Sequence, residues 1–185
     1  MATALIASGC QKEDTLPSPA PEIGTEKENE EDDGKGPEPG MIWDFTNWSV
    51  EVNVTDESGN DVLSGSLATG SVVSYKDQAY PAKMITRAYL PTWDGLVLYE
   101  KGDLNALIFG EFGPDQEYKK EPLTLTLGDG TKLDLAFDLY ITWKNYEPTV
   151  HKRNYLDGEQ VTDWQTVGKY RVLVTMGVGK SLTGW

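Results

Sequence analysis

The chain has 185 residues and a formal net charge of −14, from 16 Lys and Arg against 30 Asp and Glu. This charge argues against nucleic-acid binding, because phosphate contacts require a basic surface. A single Cys and a single His exclude an intrachain disulfide and a two-His metal site. No apolar run approaches the roughly 20 residues that a membrane-spanning helix needs. The sequence indicates no cofactor.

The N-terminal residues have the order of a secretory leader. An apolar stretch over residues 2–7 is followed by the small residues Ser8 and Gly9 and then by Cys10. Residues 6–10 resemble the leader of a bacterial lipoprotein, which implies that Cys10 is lipidated. Ala7 stands where the family usually has Leu, and no Lys or Arg precedes the apolar stretch. The second departure suggests that the true start lies upstream of Met1 or that the start codon is misassigned. The alternative is that Cys10 is an incidental thiol.

Lys12, Glu13 and Asp14 follow closely after Cys10. A Lys and two acids at this place resemble the surface-export tag of lipoproteins from Bacteroidota. The resemblance implies a lipid-anchored protein of the outer membrane that faces the cell exterior. Asp14, Thr15 and Leu16 also resemble the O-glycosylation motif of the same phylum, with Thr15 as the modified residue.

Residues 10–40 contain ten acids and three bases, a net charge of −7, and five of the ten prolines. The segment has no aromatic residue and very few apolar ones, so it cannot bury enough apolar surface to fold alone. Charge repulsion and prolines should keep it extended. We therefore predict a leader over residues 1–9, a disordered acidic tether over residues 10–40 and a folded domain over residues 41–185.

The folded domain shows the two-residue period of strands. Residues 48–55 alternate apolar and polar side chains, and the Asx- and Gly-rich residues 56–61 predict a turn after them. The next predicted elements are short hairpin arms over residues 71–75 and 79–82, a strand over residues 84–90, and a strand pair over residues 96–99 and 106–112.

Residues 123–127 and 132–143 flank Gly128, Asp129 and Gly130, which predicts a hairpin with a regular inward face. Residues 170–176 form the last predicted strand. Eight or nine short strands favour an all-β antiparallel sandwich of the immunoglobulin-like or transthyretin-like kind, with a barrel as the alternative. No segment has the pattern of an amphipathic helix.

The sequence offers little support for catalysis. His151, the only His, falls in a stretch that we assign to a polar connection, and no nucleophile motif accompanies it. Asp134 and Asp138 alternate with the apolar face of their strand and should point to solvent. The acidic turn over residues 56–61 has oxygen ligands but not the length or terminal Glu of a calcium loop. We predict no catalytic residue and no metal site.

Aromatic residues outside the predicted strands suggest a binding surface, because exposed rings on a rigid scaffold give contact area at low entropy cost. The candidate ligand platform comprises Trp93, Asp94, Tyr146, Tyr155 and Trp164. The alternative is that these connections fold back and bury the rings as a satellite core. Trp48, Phe137 and Tyr170 are in phase with apolar faces and are predicted to lie in the core.

Together these features favour a cell-surface lipoprotein without catalytic activity that binds a ligand, either a glycan or a host protein. The alternative function is a structural or accessory subunit of an outer-membrane complex, such as a pilus or a transporter. Such a subunit could engage its partner by pairing at a sheet edge. The third hypothesis, a hydrolase that uses surface carboxylates, has no residue pattern in its favour.

Overall fold

The computed structural model describes residues 32–42, 44–84, 95–100 and 104–178. Strands contain 58% of these residues and helices 6%, which confirms the predicted all-β class. The strands are β1 (Trp48–Thr55), β2 (Val72–Tyr75), β3 (Gln78–Met84), β4 (Leu96–Tyr99), β5 (Ala106–Phe112), β6 (Tyr118–Thr126), β7 (Lys132–Lys144), β8 (Glu147–Leu156), β9 (Glu159–Gln160), β10 (Gln165–Val167) and β11 (Tyr170–Val178). The helical elements are α1 (Gly65–Thr69) and a 3₁₀ turn (Pro114–Gln116).

All eleven strands belong to one mixed sheet that curls into a half-barrel. Their order across the sheet is β10-β11-β1-β5-β4-β3-β2-β6-β7-β8-β9. Adjacent strands pair antiparallel except β3 and β4, which run parallel. The residues that connect this pair, 85–94, lie outside the described part, as does most of the strand predicted over residues 84–90. The sandwich remains a prediction, because the eleven strands form a single hydrogen-bonded sheet.

The predicted hairpins are confirmed. β2 pairs with β3, β4 with β5, and β6 with β7, all antiparallel. Lys76 and Asp77 connect β2 to β3 with φ angles of 47° and 60°. Asn145 and Tyr146 make the same left-handed two-residue turn between β7 and β8, with φ angles of 52° and 69°. Turns of this hand match the twist of the strands that they join.

The turn after β1 is confirmed as a self-contained hydrogen-bonded unit. Both carboxylate oxygens of Asp56 accept hydrogen bonds from Asn60, one from its backbone N–H and one from its side-chain amide. These bonds lower the pKa of Asp56. The Asp56 side chain therefore closes the turn by accepting both hydrogen bonds from Asn60, as Asp and Asn side chains commonly do in turns.

The interior of the half-barrel holds one core cluster, to which β1, β2, β4, β5, β6, β7, β8 and β11 contribute inward side chains, together with Leu63, Ala68, Leu127 and Val161. Phe137 is fully buried, Tyr170 is 7% exposed, and Trp48 packs at the edge of the cluster. The prediction that these rings lie in the core is confirmed for Phe137 and Tyr170, whereas Trp48 is partly buried against the cluster. Phe112 and Phe137 lie closest, with ring centroids 4.6 Å apart.

The stretch around His151 was wrongly assigned to a connection. It forms β8, which pairs with β7 over ten residue pairs. β8 lacks an apolar alternation because it lies near the edge of the sheet. Its inward positions include Lys152 and Asn154; among the inward residues, Val150 packs against the core cluster and Leu156, at the end of the strand, belongs to it. The short strands β9 and β10 were also missed, since two or three residues cannot show a period.

A polar contact joins the β6–β7 turn to the start of β11. Asp129 accepts hydrogen bonds from the Tyr170 hydroxyl at 2.8 Å and from the backbone N–H of Thr131 at 3.0 Å. The Lys169 ammonium lies 3.0 Å from the same carboxylate. The Thr131 hydrogen bond first, and then those of Tyr170 and Lys169, lower the pKa of Asp129. The contact connects residues distant in sequence across one end of the half-barrel.

We predict that Asp129→Asn lowers the free energy of unfolding at pH 7 by about 1 kcal/mol. Because the folded pKa is lowered, the carboxylate stabilises the fold fully above the unfolded pKa of about 3.9, and this contribution declines as pH falls below it. Urea unfolding at pH 7 and at about pH 3 should therefore show a smaller difference from the natural chain at the lower pH. Asp157→Asn, at an exposed turn, is the control; an equal effect of both variants would contradict the prediction.

Candidate functional site

A cleft of about 770 Å³ opens at one end of the half-barrel. Its volume lies in the range of about 300–1,000 Å³ that is typical of ligand sites. Three parts of the chain form it: the segment before β1, the 3₁₀ turn after β5, and the last inward residues of β7. The described lining residues are Asp32, Pro37, Met41, Asp44, Phe45, Asn47, Pro114, Asp115, Glu117, Ile141 and Trp143.

Residues 32–42, here called the strap, contribute one wall of the cleft. The backbone N–H of Asp33 donates to the carbonyl of Trp143 at 3.0 Å, and the Asp33 carboxylate accepts from the backbone N–H of Asn145 at 2.9 Å. The second bond is the first cause of the lowered pKa of Asp33. Lys35 pairs with Asp33 at 3.3 Å. The end of the segment assigned to the tether thus lies against the β7–β8 hairpin.

An aromatic pair forms the apolar part of the cleft. Phe45 and Trp143 meet edge to face, with centroids 6.2 Å apart and an interplanar angle of 77°. Trp143 follows the inward phase of Phe137, Leu139 and Ile141, but it stands where β7 leaves the closed core. Its inward position therefore faces the cleft.

Three of the four exposed large hydrophobic side chains in the described residues lie at this end of the domain. Met41, 49% exposed, lines the cleft, and Ile42, 94% exposed, follows it directly. Tyr146, 42% exposed, stands at the tip of the β7–β8 hairpin with the Lys35 ammonium 5.8 Å from its ring centroid. A cluster of exposed apolar side chains beside a cleft is typical of interaction sites.

The cleft is strongly acidic. Asp32, Asp44, Asp115 and Glu117 are four of its described lining residues, and none of these residues is Lys or Arg. Glu117 has a cationic partner outside the lining, because Lys119 lies 2.6 Å from its carboxylate. Asp32 accepts a hydrogen bond from the backbone N–H of Gly34 at 2.8 Å. The carboxylates of Asp44 and Asp115 are exposed at the end of the domain.

The residues of the predicted platform do not lie in one place. Trp93 and Asp94 lie outside the described residues. Tyr146 is exposed beside the strap, whereas Trp164 is half-buried with the Arg171 guanidinium 5.6 Å from its ring centroid. Tyr155 is only 9% exposed, so it presents no open ring face. The leader residues Cys10, Lys12, Glu13, Asp14 and Thr15 also lie outside the described part.

Tyr155 belongs to a polar network on the outer face of β7 and β8. Its hydroxyl donates to Asp138 at 2.6 Å, the backbone N–H of Lys120 donates to the same carboxylate at 2.6 Å, and Arg153 lies 3.7 Å away. Asp138 is 6% exposed, so the prediction that it points to solvent is wrong. It does lie on the face opposite the core, but Tyr155 covers it together with β6, whose pairing with β7 shifts register between Tyr118 and Glu121. Burial, followed by the Asp138 hydrogen bond, raises the pKa of Tyr155.

His151 lies on the same outer face and outside the cleft lining. Its ring stacks on Tyr140 with centroids 4.8 Å apart, and its Nε2 is 2.7 Å from the Thr142 hydroxyl. Asp134, the other carboxylate considered for catalysis, is exposed and accepts a hydrogen bond from Thr124. Within the described residues, no group of three or more His, Cys, Asp or Glu has the arrangement of a metal site.

The cleft residues were not predicted as a site. Met41, Phe45 and Trp143 are far apart in the sequence, and each has an ordinary local context. Exposure to a shared cleft depends on how the sheet curls, which the sequence pattern does not encode. The only local signal is that Trp143 ends a run of inward-facing residues.

Comparison with protein-family models, with curated proteins and with solved structures finds no match. None of the helices in the described ranges has the length and hydropathy of a membrane span.

We predict that Tyr155→Phe lowers the free energy of unfolding by about 1–3 kcal/mol, because it removes one of the two donors that lie 2.6 Å from the buried Asp138 carboxylate. Urea unfolding at pH 7 measures the change. Tyr146→Phe removes the same hydroxyl from an exposed ring and should leave stability within about 0.5 kcal/mol of the natural chain. Equal stability of the two variants would show that the Asp138 network contributes little.

Proposed function

We propose that the chain is a non-catalytic lipoprotein of the cell surface that binds a ligand in the cleft beside the strap. The observation that carries this proposal is the concentration of exposed apolar side chains at the cleft. Three apolar side chains there are exposed instead of packed in the core, namely Met41, Ile42 and Tyr146. They lie at the same end of the domain as the aromatic pair Phe45–Trp143. Exposed apolar side chains that lie together in one patch mark interaction sites.

The non-catalytic assignment is supported by where the chemical groups lie. The cleft lining combines carboxylates, one amide and apolar side chains, and His151 stands elsewhere on the outer face. Asp138, the most deeply buried carboxylate of the described residues, already accepts from Tyr155 and Lys120. These groups stabilise the sheet and are not directed into the cleft.

The surface location is supported by sequence alone, through the order of Cys10, Lys12, Glu13 and Asp14. In this proposal Cys10 carries the lipid, the next residues direct export to the outer face of the outer membrane, and the acidic segment separates the domain from the lipid. The strap then brings the chain into the domain at the wall of the cleft.

For the architecture, we propose that the half-barrel is a sandwich in which one sheet is doubled over. Its two halves share a single core cluster, and β8 approaches β11 although the two strands are at opposite ends of the strand order. Two packed sheet faces around one core are typical of sandwiches. The immunoglobulin-like or transthyretin-like type belongs to the same proposal.

Pairing with a partner at a sheet edge is the second candidate. The edge that supports it is β11, because β10 pairs only with its first three residues and the stretch from Leu173 to Val178 has no charge. The opposite edge is unsuited, since β8 carries Pro148, Lys152 and Arg153, and proline and charge at an edge oppose strand addition. The exposed apolar cleft therefore supports the first candidate more strongly.

For the surface location, we predict that the natural chain is lipidated and accessible to protease on intact cells. Cys10→Ala should abolish membrane anchoring, because no other thiol is present in the chain. Replacing Lys12, Glu13 and Asp14 together by Ala should leave the protein lipidated but protected inside the cell. Surface labelling and membrane fractionation measure both changes; a soluble, unlipidated natural chain would contradict the proposal.

For the cleft, we predict that ligands found by glycan-array and host-protein screening lose binding in Trp143→Ala. Truncation of a central aromatic contact typically costs about 2 kcal/mol or more, close to a thirtyfold loss of affinity. Met41→Ser, which changes an exposed side chain, provides a second variant if Trp143→Ala is unstable. Trp164→Ala is the matched control outside the cleft lining. Ligands that bind all four proteins equally would place the binding site elsewhere.

A further inference from the structure

We infer that the cleft binds a polypeptide segment that carries basic and apolar side chains. The inference rests on the proposed function, because it takes the cleft as the ligand site, and it adds the chemical class of the ligand. Three features of the described residues lead to it: the charge of the cleft, the aliphatic side chains at its rim, and its aromatic wall.

The charge of the cleft selects against acidic ligands. Asp32, Asp44, Asp115 and Glu117 line it, and the described lining contains no basic residue. Glu117 already faces Lys119, and Asp32 already accepts a hydrogen bond from Gly34. Asp44 and Asp115 are therefore the two carboxylates best placed to receive a cation from a ligand. The chain as a whole has a net charge of −14, which steers positively charged partners toward it and repels acidic ones.

The rim of the cleft is suited to a peptide more than to a sugar. Met41 and Ile42 are aliphatic, and they are among the most exposed large hydrophobic side chains in the described residues. Sugars stack on flat aromatic faces, whereas flexible aliphatic side chains pack against other aliphatic groups. Burial of such side chains by an apolar residue of a ligand is favourable, by roughly 25 cal/mol per Å² of apolar area.

The aromatic wall suits the stem and the charge of Lys or Arg. Long basic side chains lay their methylene groups on apolar surface while the charged end stays near carboxylates or water. The domain itself contains a contact of this kind. The Lys152 ammonium lies 3.7 Å from the ring centroid of Trp48, and Trp48 directly follows Asn47, which lines the cleft. In the cleft, the rings of Phe45 and Trp143 and the nearby carboxylates offer both halves of this contact to a ligand.

Three labelled probes test the inference on the purified full chain. The first is a short peptide of alternating Lys and Leu, the second is the matched peptide of Glu and Leu, and the third is a neutral N-acetylglucosamine oligomer. We expect the Lys-Leu peptide to bind with the highest affinity in fluorescence anisotropy, and the Glu-Leu peptide to show at least about a tenfold weaker affinity.

Charge variants separate recognition in the cleft from general attraction to an acidic protein. The double variant Asp44→Asn with Asp115→Asn should weaken binding of the Lys-Leu peptide about tenfold. The control double variant, Asp77→Asn with Asp157→Asn, removes the same charge from two exposed turns. Both of these residues have left-handed backbone angles, φ 60° and 51°, that Asn accepts readily. The control should change affinity less than about twofold, and Trp143→Ala should weaken binding independently of charge.

Each other outcome overturns the inference. If both double variants weaken peptide binding equally, net charge alone attracts the peptide. If the sugar oligomer binds more tightly than the peptide and requires Trp143, the ligand class is wrong while the proposed function stands. If no probe shows binding that depends on Trp143, the inference fails. The glycan-array and host-protein screens described above then decide the proposed function separately.

Discussion

The structure depends on the need to bury one apolar face of a single sheet. The described residues supply only the five-residue α1 and a 3₁₀ turn outside the strands, so no helical layer covers that face. The sheet instead curls until its own strands enclose the core cluster. Curling follows from the twist that strands have by chirality, and the antiparallel order lets short turns connect most neighbours. A half-barrel formed in this way has an open end, and the cleft lies there.

The thirteen-residue strand β7 connects the core, the outer network and the cleft. Phe137 on its inner face is fully buried, and Asp138 on its outer face accepts hydrogen bonds from Tyr155 and Lys120. The last inward-facing residue of β7 is Trp143, which lies beyond the end of the core. Because one extended strand carries all three, a change in its register would exchange the two faces and move each of these groups at once.

The sequence was sufficient to predict those strands that have one face exposed to solvent and one apolar face. The hairpin of β6 and β7 shows this alternation over residues 123–127 and 132–143, and the prediction that these two arms form a hairpin is confirmed. The prediction failed at β8, because an edge strand with Lys152 and Asn154 at inward positions shows no apolar period. It failed again at Asp138, where the alternation gave the correct face but not the burial, which comes from Tyr155 on the neighbouring strand. The cleft could not be predicted, since Met41, Phe45 and Trp143 meet only after the sheet has curled.

The strap connects the proposed tether with the proposed site. Two of the hydrogen bonds of Asp33 are with the backbone of Trp143 and Asn145, and these bonds hold residues 32–42 against the hairpin that also provides the aromatic wall. Three glycines in the strap, Gly34, Gly36 and Gly40, have positive φ angles of 69°, 63° and 87°. Glycine adopts positive φ angles without the steric cost that other residues have. The three glycines therefore let the backbone of the strap change direction as it follows the hairpin. The Asp33 hydrogen bonds and these glycines therefore fix the course of the strap at the wall of the cleft, where the sequence pattern alone predicts a tether without structure.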